Sequence, residues 1–184
     1  MKKGFTLIET IVVIAIVSLT LPVIFSIFFV LLQQQTKIYR LNTVKKEGDY
    51  IISLIENTIK NKAVSIHSST PPDDANKKCA DDSSSYSSTT SLYFLGSNGN
   101  WFGYLVNADS IASSSAILPS IGLTSSKTKI NNFSISCSRR YAYSQPSVYV
   151  SFDVQYCNDV ACSQIRPEEI ATMHYQTAIK LRSH

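Results

Sequence analysis

A chain of 184 residues, 44% apolar and with a mean hydropathy of +0.02, has room for one membrane-spanning helix and one domain of about 120 residues. Its formal charge of +4, or +2 without Lys2 and Lys3, is too small a bias to argue for nucleic-acid binding on electrostatics. No P-loop, dinucleotide fingerprint or Gly-x-Ser-x-Gly elbow occurs, and His67, His174 and His184 have no evident partner pattern, so the motifs point to no enzyme and no cofactor.

The chain opens with a basic tetrapeptide, Met1-Lys2-Lys3-Gly4, followed by an apolar stretch that begins at Phe5 and carries one carboxylate, Glu9. From Ile11 to Leu32 no residue is charged. At the helical rise this run spans roughly 33 Å, enough to cross a hydrocarbon core. Lys2 and Lys3 bias their side toward the cytoplasm, which leaves the residues beyond about 33 outside. An ordinary secretory signal is cut after its apolar region. Here that region is followed by Gln33, Gln34, Gln35 and Thr36, with no small-residue cleavage site, whereas a cut after Gly4 would keep the helix. Glu9 needs an explanation, because a carboxylate costs on the order of 2.5–3.5 kcal/mol at a membrane centre and less near its edge. Either a positive partner offsets it or it sits among the headgroups in water.

The string Gly4-Phe5-Thr6-Leu7-Ile8-Glu9 behind a short charged leader resembles the signature of the type IV pilin and pseudopilin family. The resemblance implies a precursor cut between Gly4 and Phe5 by prepilin peptidase, methylation of the Phe5 amino group, and pairing of Glu9 with the terminus of a neighbouring subunit. It also implies a non-enzymatic filament subunit of a type IV pilus or a type II secretion-like machine. Its partners would be other pilin-like subunits and an inner-membrane assembly platform. The expected place is the cytoplasmic membrane, single-pass with the C-terminal domain outside, and then an extracellular or periplasmic filament. Beyond residue 32 the resemblance is looser. The strand-rich end, the cysteines and the pattern from Tyr39-Arg40-Leu41 onward look more like a minor pilin or a J-type minor pseudopilin than a major subunit. Two other classes stay open: a membrane-tethered binding module, adhesin or DNA receptor, and a plain single-pass protein.

Ile38, Leu41, Val44, Ile51, Ile52, Ile55 and Ile59 continue the helix as an amphipathic stripe, so one stem is expected from Phe5 to about Ala63. Pro22 removes the donor to Ser18 and should kink or loosen one turn. The family's usual proline would stand where Ser26 does. Gly48 is either a hinge or a close-packing site. From Ser65 to Thr90 the composition turns to Ser, Thr, Pro, Asp and Lys and reads as an irregular surface connection. Asp73, Asp74, Asp81 and Asp82 lack the spacing of a calcium loop, and Lys77 and Lys78 oppose their charge, so no metal is expected.

The remainder reads as strands. Leu92–Leu95 and Trp101–Val106 flank five turn-prone residues as a hairpin. Ile130–Ser138 presents Phe133, Ile135 and Cys137 on one face. Val148–Tyr156 alternates Val148, Val150, Phe152, Val154 and Tyr156 inward, and Thr172–Arg182 repeats the device with Met173, Tyr175, Thr177, Ile179 and Leu181. The expected fold is α+β: a long helical stem packed on a small antiparallel sheet of three to five strands. The segments are a leader at 1–4, a membrane or filament-core helix at 5–32, an amphipathic stem at 33–63, a polar loop at 64–90 and a β domain at 91–184. Cys79, Cys137, Cys157 and Cys162 allow three disulfide pairings. Closing a short loop with Cys157–Cys162, which leaves Cys79–Cys137, is the pairing favoured here, over zinc ligation. Arg139, Arg140, Tyr141 and Tyr143 form a candidate ligand patch, although two arginines beside two tyrosines in a turn are ordinary and nucleic acid is not the expected partner.

Overall fold

The computed structural model describes residues 6–141, 143–157, 162 and 170–182; Gly4 and Phe5 lie outside this set. Among the described residues a single helix, α1, runs Leu7–Lys62. The chain divides into two compact units, Met1–Tyr39 and Arg40–His184.

In the first unit every described residue from Thr6 to Tyr39 is exposed, and those from Leu7 to Leu32 are almost all apolar. This surface is long and apolar enough to cross a membrane. Its few hydroxyls turn back on the helix itself: Thr10 Oγ1 donates to the Leu7 carbonyl at 2.8 Å, Ser18 Oγ to Ala15 at 2.9 Å and Ser26 Oγ to Val23 at 2.8 Å. Thr20 and Thr36 do the same. Polar groups satisfied within the helix are compatible with apolar surroundings. The helix continues through Pro22 as one element.

The second unit begins where α1 starts to be covered. Val44, Gly48, Ile51, Ile55 and Ile59 are buried at steps of three and four, the stripe of an amphipathic helix. Ile38, expected on that stripe, lies in the first unit and is exposed, and Gly48 occupies the stripe in a place where no apolar side chain marks it. An ideal Cβ at Gly48 would sit 2.2 Å from the Tyr175 ring. That ring is stacked on Phe152 at 5.7 Å, and its hydroxyl donates to the Lys45 carbonyl at 3.2 Å, so it cannot swing aside cheaply. Gly48 is a close-packing site. Alanine normally stabilises a helix relative to glycine, but here Gly48→Ala is expected to destabilise by roughly 1–2 kcal/mol, the overpacking cost less the gain in helix propensity. Denaturant unfolding of the two proteins checks the sign.

Ten strands follow among the described residues, not the three to five expected. They are β1 (Ala63–His67), β2 (Lys77–Lys78), β3 (Ser85–Ser88), β4 (Ser91–Gly96), β5 (Trp101–Asn107), β6 (Ser110–Ser115), β7 (Ile121–Gly122), β8 (Thr128–Ser138), β9 (Ser147–Tyr156) and β10 (Thr172–Lys180). They form two antiparallel sheets, β2-β1-β4-β5-β6-β7 and β10-β9-β8-β3, rather than one. One apolar cluster takes Ile51, Ile55 and Ile59 from α1, Phe94 and Tyr104 from the larger sheet, and Val150 and Phe152 from the smaller. The result is the α+β arrangement of a long helix packed on antiparallel sheets.

The polar stretch 64–90, expected to be irregular, contributes β1, β2 and β3. β1 finds its ladder on β4 and β3 finds its ladder on β8, partners that composition does not reveal. His67 is buried here, with Nε2 2.8 Å from Ser65 Oγ and Nδ1 2.8 Å from Asn76 Oδ1. β8 carries a bulge between Asn131 and Ser134, with Asn132 at a φ of 52°. The extra residue switches parity, so Thr128 and Ile130 before it and Phe133, Ile135 and Cys137 after it all face the core. β9 buries Val148, Val150, Phe152, Val154 and Tyr156 in strict alternation. The disulfides join Cys79 to Cys137, 58 residues apart, and Cys157 to Cys162, 5 apart.

Candidate functional site

At the start of α1, Thr6 is the last residue before the helix and Glu9 is three residues on, the spacing of a capping box. The Glu9 carboxylate accepts from the Thr6 backbone N–H at 3.3 Å and from its hydroxyl at 3.4 Å. A negative charge in the first turn also complements the helix dipole. Glu9 is therefore held in place by its own chain, a role beyond the two readings available from sequence, and the Thr-x-x-Glu spacing was the signal for it. The carboxylate ends up at the helix terminus next in sequence to Phe5.

A second set of residues gathers in the turn between β8 and β9. Arg139 is directed into the structure: its Nε donates to the Ser144 carbonyl at 2.9 Å, its guanidinium also bonds the Ala80 carbonyl, and its backbone N–H donates to Ser84 at 2.9 Å. Ser144 closes the turn through bonds to Tyr141 of 2.8–3.0 Å. Leu181 N–H reaches the Pro146 carbonyl at 3.1 Å and ties the turn to the end of β10. Of the four residues singled out in sequence, Arg139 is a strut, while Arg140, Tyr141 and Tyr143 line a shallow groove of about 530 Å³. Tyr149 and Lys180 line it too, and only strand pairing brings them there.

A third cluster lies on the outward side of β9 and β10. His174 Nδ1 is 2.6 Å from Asp153 Oδ1, Asn132 Nδ2 donates to the other Asp153 oxygen at 2.7 Å, and Ser151 Oγ lies 3.5 Å from His174 Nε2. The atom order resembles a nucleophile relay. β9 is paired on both sides, however, so its N–H groups are spent in the ladders and none is aimed at a developing oxyanion. The cluster instead pins the bulge to β9 and β10. The Asn132 hydrogen bond, then the His174 hydrogen bond, hold the Asp153 carboxyl below its ordinary value of 3.8, with burial opposing them and the His174 charge adding a lesser pull. A depressed carboxyl stabilises the fold fully above that ordinary value, and the contribution is lost as pH falls below it. Asp153→Asn is thus expected to lower the melting temperature near neutrality and to narrow the gap to the parent on acidification toward about pH 3, read by thermal melts.

Comparison with known proteins bears on the first of these sites. Residues 1–21 match the family model described as the prokaryotic N-terminal methylation motif, a stretch that contains Gly4, Phe5 and Glu9. No curated protein and no solved structure matches the chain. The motif supports a type IV pilin-like, N-terminally processed subunit, and the helix behind it is long and apolar enough to cross a membrane.

Proposed function

We propose that this chain is a minor pilin or pseudopilin: a precursor cut between Gly4 and Phe5, methylated on Phe5, and drawn from the cytoplasmic membrane into a filament by an inner-membrane platform. The observation that carries the reading is the N-terminal motif standing at the head of a helix whose whole apolar surface from Leu7 to Leu32 is exposed within the chain. Such a surface needs lipid first and neighbouring helices later, and burial supplies the cohesion of both states. The C-terminal unit lies outside the cytoplasm, where its two disulfides persist.

The test is the N-terminal mass of protein purified from membranes with and without prepilin peptidase. A chain that starts at methylated Phe5 only when the peptidase is present supports the reading. A chain that keeps Met1 or Lys2 in both cases sinks it and leaves a plain anchor.

A further inference from the structure

The outward face of the smaller sheet is a platform of small hydroxyl side chains. Strand register sets Ser85, Ser138, Ser147 and Lys180 opposite one another in one row across the four strands. The next row holds Ser87, Ser136, Tyr149 and Ala178, and the one after it Ser134, Ser151 and Gln176. Residues directly opposite share a face, so these rows form one surface. Tyr149 stands in its middle, 47% exposed. At its edge lies the turn groove with Tyr141, Tyr143 and Arg140, beside Lys180. A second groove of about 540 Å³ adjoins it at Tyr143, Ser144 and Gln145 and adds Lys77, Lys78 and Arg182. Among the described residues, no Asp or Glu lines either groove, although the chain has 13; on the same face Asp153 stands one row beyond Ser151, held by Asn132 and His174.

We propose that this face binds an acidic polysaccharide. Tyrosine rings offer broad apolar faces for the C–H side of a sugar ring, and the serine hydroxyls and the Gln176 amide donate to and accept from sugar hydroxyls. Arg140 and Lys180 take the carboxylates by charge-assisted hydrogen bonds. A single-stranded nucleic acid would call for cations tracking a phosphate at every unit. In the first groove seven neutral hydrogen-bonding side chains stand beside two cations, and Lys180 is the one cation in the three serine-rich rows; the further cations Lys77, Lys78, Arg139 and Arg182 line the second groove. The face is the same before and after N-terminal cleavage, so this inference stands or falls separately from the filament reading.

The experiment is calorimetric titration of the full chain in detergent micelles with polygalacturonate, neutral dextran and oligothymidylate. Polygalacturonate is expected to bind, dextran and oligothymidylate much more weakly. The double variant Arg140→Gln, Lys180→Gln and the single variant Tyr149→Ala are each expected to weaken binding by roughly tenfold or more. Lys60→Gln with Lys62→Gln removes the same charge elsewhere and is expected to bind as the parent does. Absence of polygalacturonate binding, equal binding of dextran, or full binding by the groove variants overturns the proposal. So does an equal loss in the Lys60, Lys62 control, which would make the attraction nonspecific. Tighter binding of oligothymidylate overturns it in favour of nucleic acid. All substituted positions are exposed, and unchanged melting temperatures verify the fold.

Discussion

Glu9→Ala is expected to deplete the protein from sheared filaments on the order of 100-fold relative to its membrane pool, because truncating one partner of a buried pair strands the other's charge away from water. In the proposed filament that stranded charge is the amino terminus of a neighbouring subunit. The structure makes a second variant informative. Glu9 also caps its own helix through Thr6, and alanine removes both functions at once. Glu9→Gln keeps an oxygen able to accept the Thr6 hydrogen bonds but carries no charge. If Glu9→Gln enters filaments as well as the parent, the cap is sufficient and the pairing is wrong. If it fails as alanine does, charge is what matters. Quantitative immunoblotting of filament and membrane fractions reads both variants, and N-terminal mass shows whether each was cut.

The largest expected effect on stability comes from the Cys79–Cys137 bridge. It closes a loop with a sequence separation of 58, against 5 for Cys157–Cys162. Chain-entropy reasoning gives roughly 4 kcal/mol for the longer loop and about 2 kcal/mol for the shorter. Cys79→Ser with Cys137→Ser should therefore lower the melting temperature by about 10 °C or more, and the other pair by about half as much. Equal losses from the two pairs would show that loop length does not govern the effect. The long bridge also bears on the candidate binding face. It anchors the loop whose Ala80 and Ser84 carbonyls accept from Arg139, and Arg139 in turn holds the Tyr141–Ser144 turn. Losing the bridge should loosen that groove, so polygalacturonate binding should weaken along with stability.

What local chemistry dictates was legible in the sequence. The charged leader, the uncharged run, the continuation of α1 to Lys62 and the alternation of β9 each depend on neighbours a few residues away, and all can be read from period and composition. The string from Gly4 to Glu9 was legible as a motif, and the match over residues 1–21 covers it; the cut, the methylation and the pairing of Glu9 belong to the proposed function. The cap between Glu9 and Thr6 was equally local and could have been read from its spacing.

What depends on distant pairing was not legible. β1, β2 and β3 lie in a stretch too polar to form a core, and they become strands because β4 and β8 supply ladder partners. β6 buries only Ile111 and Ala112 and carries no strand-like alternation. The bulge at Asn132 reverses the parity on which a strand reading relies. Gly48 had two readings until Tyr175 was seen to fill the space above it, and Arg139 looked like a ligand contact until its guanidinium was found on Ser144 and Ala80. By itself, then, the sequence determined the N-terminal motif, the apolar helix and the broad α+β class, because these follow from residues close along the chain. Only the tertiary structure decided the two-sheet topology, the roles of Gly48 and Arg139, and the serine and tyrosine face. Those depend on which strands lie side by side, and cross-strand register is set by packing between segments tens of residues apart.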